Sequence, residues 1–120
     1  MTTEELLERY AVGERDFSKV KLSGIGELLE GVCLKDINLS DSRIDNLSFV
    51  ETNLSRANLK NTILWQTNFI GADLSETCFE RANLTQAILK NAKGNNTNFI
   101  RTIFLDTIMP DGSIRNEAIF

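Results

Sequence analysis

A chain of 120 residues has room for one domain and little more. Its 13 basic and 17 acidic residues leave a net charge of −4, and histidine is absent, which removes the commonest general base and metal ligand. No apolar run approaches the length of a membrane span, and no signal-peptide core is present, so a cytoplasmic protein without membrane insertion is expected.

The first thirteen residues read as an N-terminal capping helix, with its helical core over Thr3–Ala11. Thr2 with Glu5 three residues on matches a capping box, and acids crowd the first turn, where the helix dipole favours them. Leu6, Leu7, Tyr10 and Ala11 form one apolar stripe at helical spacing, suited to covering a core. Gly13 is the expected stop. From 14 to 31 a five-residue frame begins at Phe17 and Leu22, then slips. The next in-frame residue is Leu29, with Gly24 and Gly26 between, so an irregular first coil with a loop is expected.

From Leu34 to Met109 every fifth residue is large and apolar, except Gly94. Two positions before each centre sits a mostly small residue, such as Ala57, Ala72, Ala82, Thr52, Thr62 or Thr77. A period of five matches neither the 3.6 of a helix nor the 2 of a strand. The triplets Ala57-Asn58-Leu59, Ala72-Asp73-Leu74 and Ala82-Asn83-Leu84 resemble those of pentapeptide-repeat proteins. The opening Arg9-Tyr10 with Gly13-Glu14-Arg15-Asp16-Phe17, and the closing Met109-Pro110-Asp111-Gly112-Ser113, are similar to small cyanobacterial members. The resemblance implies an all-β solenoid over 32–109, a right-handed quadrilateral β-helix with four repeats per coil. It implies little about function, which is mostly unassigned in that family.

If four repeats make a coil, residues twenty apart stack about 4.8 Å from each other. Four internal columns result. They hold Leu34, Leu54, Leu74, Gly94 and Ile114; Leu39, Leu59, Phe79, Phe99 and Ile119; Ile44, Leu64, Leu84 and Phe104; and Leu29, Phe49, Phe69, Leu89 and Met109. Phenylalanines then pair vertically at 49/69 and 79/99, a coincidence that supports twenty residues per coil. Ile37 and Leu47 are oversized for corner positions, so the coil they belong to should be distorted. Gly94 marks either an unfilled core or a backbone that only glycine can adopt, left-handed or pinched, and the run Lys93-Gly94-Asn95-Asn96, which reads as a turn, favours the backbone. Pro110, Asp111 and Gly112 signal a further turn, and 110–120 should form a C-terminal capping tail.

Chemistry-bearing residues are sparse. Asn38, Asn53, Asn58, Asn68, Asn83 and Asn98 precede core centres, where such side chains satisfy turn backbone. Cys33 and Cys78 fall on different faces more than two coils apart, about 10 Å along the axis, beyond the reach of a disulfide. Lys35-Asp36, Glu80-Arg81 and Arg101 near Asp106 alternate in sign on an outer surface with no cleft to house acid–base chemistry. No catalytic residue, metal site or cofactor is expected.

One feature is unusual for a surface. Ile63, Trp65, Ile103 and Leu105 flank centres of the third column, and Val50, Ile70, Ile88 and Ile108 flank those of the fourth. The other two faces are polar apart from Ile100. Contiguous apolar surface marks contact sites, and tryptophan is favoured in them. The expected function is a non-enzymatic interaction or scaffold module, binding an unidentified protein partner or a second copy through this surface. The alternative is a mimic of duplex DNA acting on an enzyme such as gyrase, which the family resemblance suggests. Such mimicry needs an acidic rod. Between Val32 and Met109 eight bases balance eight acids. Direct nucleic-acid binding is not expected either, because no basic stripe is present.

Overall fold

The computed structural model describes residues 1–117. Thr3–Ala11 form helix α1. The Thr2 hydroxyl accepts the Glu5 amide at 3.1 Å, satisfying one of the free donors of the first turn. Gly13, at φ 104°, turns the chain away, its amide donating to the Tyr10 carbonyl. The helix lies across the open top of the first coil. The Thr3 amide donates to the Ser23 carbonyl and the Ser23 amide to the Met1 carbonyl. The Tyr10 hydroxyl reaches the Lys35 carbonyl at 2.9 Å. Leu6 is wholly buried beneath the helix, and Leu7 and Tyr10 pack partly buried beside it, while Ala11 of the expected stripe stays exposed.

Beyond the helix the chain stacks on itself. Parallel bridges join Cys33 to Asn53, Asn53 to Asp73 and Asp73 to Lys93, and likewise Asn38 to Asn58, Cys78 and Asn98 in turn. From Cys33 onward the interval is twenty residues, with a turn at every fifth residue. At a corner the carbonyl of a core centre accepts the amide three residues on, as Ala57 donates to Leu54 and Ala82 to Phe79. The third residue of that turn is left-handed: Asp36 at φ 62°, Arg56 at 58°, Arg81 at 60°. Such backbone costs an L-residue about 1–2 kcal/mol. It is held because it aims the amide along the stack, where Asp36 donates to Ser55, Arg56 to Ser75 and Arg81 to Ile100. The molecule measures 38 × 25 × 24 Å.

The interior follows the columns. Leu34, Leu54 and Leu74 are buried above one another. Phe49 stacks on Phe69 at 5.3 Å and Phe79 on Phe99 at 5.4 Å, as the sequence columns require. Phe69 meets Phe79 edge-on at 5.8 Å, tying two columns together. Corner threonines are buried and bonded across coils. Thr77 donates to the Leu54 carbonyl at 2.8 Å, Thr102 to Phe79 at 2.8 Å and Thr107 to Leu84 at 2.7 Å. No buried side-chain nitrogen or oxygen among the described residues lacks a partner.

Three expectations are corrected. Ile37 and Leu47 do not distort their own coil, whose bridges to the coil below keep the twenty-residue interval. The irregularity lies in the coil above. There Asp16 pairs with Asn38 and Lys21 with Arg43, twenty-two residues apart. A short 3₁₀ turn over Gly26–Leu29 takes up the two extra residues. Gly26 sits over Leu47, where an added Cβ would lie in ordinary contact, 3.7 Å from Leu47 Cδ2.

Second, Ile114 does not continue the first column. The turn at Pro110–Gly112 reverses the chain, and strand β2 (Ile114–Arg115) pairs antiparallel with β1 (Thr107–Ile108), Ile114 opposite Ile108. The Met109 amide donates to Ser113 and the Phe104 amide to Glu117. The tail therefore runs back beneath faces four and three, and Ile114 is 66% exposed. The proposed column place of Ile119 lies outside the described residues. Third, Gly94 is not left-handed; Asn96 carries the positive φ of that corner, at 60°. Gly94 is exposed, with nothing stacked beneath it among the described residues.

Candidate interaction surface

The repeat frame decides which side chains leave the interior. In each unit the centre and the residue two before it point in, and the residues on either side of the centre point out. The asparagines just before centres are held by backbone. Asn53 Oδ1 accepts the Ser55 amide at 3.0 Å, Asn58 that of Lys60 at 3.0 Å, and Asn98 that of Ile100 at 2.9 Å. Their oxygens bridge across the centre within one unit, leaving no polar ladder aimed at a ligand. Asp73 takes the same role towards Ser75. The hydroxyl of Ser75, then its amide, hold the Asp73 carboxyl below the usual carboxylate range.

Of the ion pairs among the described residues one, Arg56 with Asp36, runs along the stack, and the others join residues two to five apart in the chain. Arg56 grips Asp36 with two bonds, Nε to Oδ1 at 2.8 Å and Nη2 to Oδ2 at 3.0 Å. That contact holds Asp36 low, its hydrogen bond to Arg56 being the main cause. Both side chains are half exposed, so the pair contributes little to stability. Cys33 and Cys78 are free thiols on different faces. Among the described residues no group of acids and cysteines could hold a metal ion, and no helix is long and apolar enough to cross a membrane.

The eight apolar flanking residues fall in smaller groups. On face four, Ile88 and Ile108 are bridged directly, and Ile114 of the tail extends that row. Val50 and Ile70 are twenty residues apart on the opposite margin of the same face. On face three, Ile63 and Ile103 are separated by Asn83, which bridges to both. Trp65 and Leu105 are likewise separated by the coil of Thr85. Most of the eight are half-buried by their vertical neighbours; Trp65 and Leu105 are the exposed ones, at 39% and 50%. The surface is thus a staggered band with polar residues set into it.

Trp65 is not loose on this surface. The Arg43 guanidinium lies 5.1 Å from its ring centroid, and Asp45 holds Arg43 through Nε at 3.0 Å. The indole is therefore braced by a cation and leaves its outer surface to solvent. The sequence frame names Trp65 but not this brace, because Arg43 sits in the preceding coil at the other margin of the face. Exposed Val12, Ile25 and Leu28 also escape the repeat frame, since they lie before it becomes regular.

Known proteins share this repeat. A family model described as pentapeptide repeats matches residues 29–61, 52–91 and 77–111, with 8 copies. Among solved structures, the chain is similar to a pentapeptide repeat protein of the cyanobacterium Cyanothece 51142, with 26% identity, 69% of this chain and 52% of that one covered, and a TM-score of 0.56. It is also similar to HetL of Nostoc sp. strain PCC 7120, a pentapeptide repeat protein involved in heterocyst differentiation regulation. Identity there is 28%, over 97% of this chain and 57% of HetL, with a TM-score of 0.49. The chain thus spans little more than half the length of these two. No protein with a curated description matches it in sequence.

Proposed function

The chain belongs to the pentapeptide-repeat family, and from that premise we propose that it is a non-enzymatic interaction module which binds a protein partner through faces three and four. We read its stack as the right-handed quadrilateral β-helix of the family's known structures. A four-sided stack offers flat faces and no cleft, which suits docking and not catalysis. The observation that carries the reading is Trp65. The chain's single tryptophan stands 39% exposed in mid-stack, braced by Arg43, with Ile63 on the same face and Val50 and Ile70 on the far margin of the next. Braced aromatic side chains surrounded by weaker apolar contacts are the pattern of binding hot spots.

Affinity capture from native lysate tests this, with wild type beside Trp65→Ala, Ile103→Ser. The reading expects one protein to be retained by wild type and lost by the variant, and that protein, once purified, to alter Trp65 fluorescence. Identical capture by both would sink it. The mimicry alternative asks for an acidic rod, and the eight-to-eight charge balance of the repeat body opposes it. A gyrase supercoiling assay is therefore expected to show no inhibition at micromolar protein, and potent inhibition would replace this reading.

A further inference from the structure

The large apolar side chains most open to solvent are not spread along the stack. Val12, Ile25 and Leu28 lie at the helix end, at 80%, 54% and 38% exposure. Ile100, Leu105 and Ile114 lie at the opposite end, at 58%, 50% and 66%. Among the described residues only Trp65 stands between. Charge is uneven between the two outer edges as well. Helix α1 exposes Glu4, Glu5 and Glu8. Its one base, Arg9, is taken by Glu14 at 2.6 Å, and the nearby Arg15 lies over the Tyr10 ring at 3.6 Å. The exposed edge of the last coil carries Lys90, Lys93 and Arg101 with no acid from 90 to 101; Lys93 lies beneath Asp73, and the acids of that end, Asp106, Asp111 and Glu117, lie on faces three and four and the tail, Glu117 paired with Arg115. Among the described residues, none of Glu4, Glu5, Glu8, Lys90, Lys93 and Arg101 makes an ion pair within the chain.

The basic end is also short of hydrogen-bond acceptors. In the coil above, the amides of Leu74, Glu76, Phe79 and Arg81 donate downward to Lys93, Asn95, Asn98 and Ile100. The equivalent amides of the last coil belong to Gly94, Asn96, Phe99 and Arg101. They find no acceptor among the described residues, where the tail, through Glu117, pairs with faces three and four. An open β edge of this kind is a template for another chain.

We propose that copies of this chain associate head to tail, the acidic outer side of α1 in one copy seating on the basic open edge of the last coil in the next. The carboxylates of Glu4, Glu5 and Glu8 supply acceptors for the unused amides and counter-charges for Lys93 and Arg101, and charge-assisted bonds of this type are the stronger ones. Val12 and Ile25 meet Ile100 and Ile114 at the margins. A second copy in the opposite sense would set bases against bases, or acids against acids, which is unfavourable. The contact is heterologous and leaves each copy with one free end, so it propagates as a rod and does not close into a dimer. It leaves faces three and four uncovered and goes beyond the function proposed for them.

Sedimentation velocity over a concentration series tests this. Wild type is expected to show a rising mean size with concentration, suppressed by salt. Glu4→Lys, Glu8→Lys and Lys93→Glu, Arg101→Glu variants, each checked for folding by circular dichroism, are each expected to associate at least about tenfold more weakly. Mixed in equal amounts they are expected to regain association, since every junction then joins opposite charges. Glu4→Gln, Glu8→Gln serves where charge reversal disturbs the helix. Amide exchange at Gly94, Asn96, Phe99 and Arg101 should slow as concentration rises. A monomer at every concentration overturns the proposal. So does association untouched by both charge variants, or lost only on Trp65→Ala, which would mark a side-face dimer. Slow exchange at these amides in dilute monomer overturns it too, by showing the edge covered within the chain.

Discussion

The two ends of the stack meet the same problem differently. At the start, α1 crosses the shaft, Leu6 is buried beneath it, and Tyr10 ties it to the Lys35 carbonyl. At the finish the tail covers two faces, while Gly94, Asn95 and Asn96 stay exposed and Phe99 is only part-buried. Between them, each coil supplies the hydrogen bonds and the apolar cover of its neighbours. A repeat therefore specifies its own middle and nothing about its ends. Closure has to come from sequence that abandons the period, and it is complete only where a whole helix is devoted to it.

Substitutions along one axis sharpen this contrast. The largest effect is expected in mid-stack. Phe69→Ala removes a ring stacked on Phe49 and edge-on to Phe79, and should cost about 3–5 kcal/mol in urea unfolding. Leu6→Ala, at the closed end, should cost about 2–3 kcal/mol, as one buried leucine does where the site partly collapses. Phe99→Ala, at the open end, should cost about 1–2 kcal/mol, well under the mid-stack value; a loss equal to that of Phe69→Ala would mean the end is covered. Glycine substitutions should follow backbone and not column. Gly71, at φ 67°, should lose about 1 kcal/mol as alanine. Gly94→Ala should stay within about 0.5 kcal/mol, its new Cβ pressing on Thr97 Oγ1 at 3.2 Å at an open end. Equal losses at the two would restore a special backbone role for Gly94.

The smallest effect is one of pH. Asp73 is held low by Ser75, so its contribution is present above the ordinary carboxylate value of about 4 and fades as pH falls through it and below. Asp73→Asn keeps an oxygen for the Ser75 amide and removes that dependence. Its melting temperature is expected to fall less than that of wild type between neutral and acid pH. Parallel curves would show that the carboxylate contributes nothing particular.

The period of five revealed the interior well because inward positions are the ones constrained to be large and apolar. It identified the stacked phenylalanines and the face on which Trp65 lies. It said nothing of the left-handed corners, since Asp36, Arg56 and Arg81 are polar residues at exposed positions, where many side chains serve. The tail was misleading for a related reason. Ile114 keeps the numerical frame, yet Pro110 and Gly112, at φ 85°, turn the chain back before the frame can act. On the candidate surface the frame gave the faces but not the exposure. Ile88 and Ile108 are outward in sequence and half-buried in space, because a neighbour about 4.8 Å away covers each of them.

The two extra residues of the first coil behave as a dislocation does in a crystal. The mismatch enters after Leu22 and is gone by Gly31, whose amide reaches the Val50 carbonyl in the same manner as Glu51 reaches Ile70. Nothing downstream is displaced. The segment Ile25-Gly26-Glu27-Leu28 is therefore a port at which length can vary without disturbing the lattice below. A loop, a tag or a binding peptide grafted there would be carried on the edge of an ordered array, while the same insertion at Asn61 or Arg81 would break into a corner whose amide is bonded to Glu80 or Ile100 of the next coil.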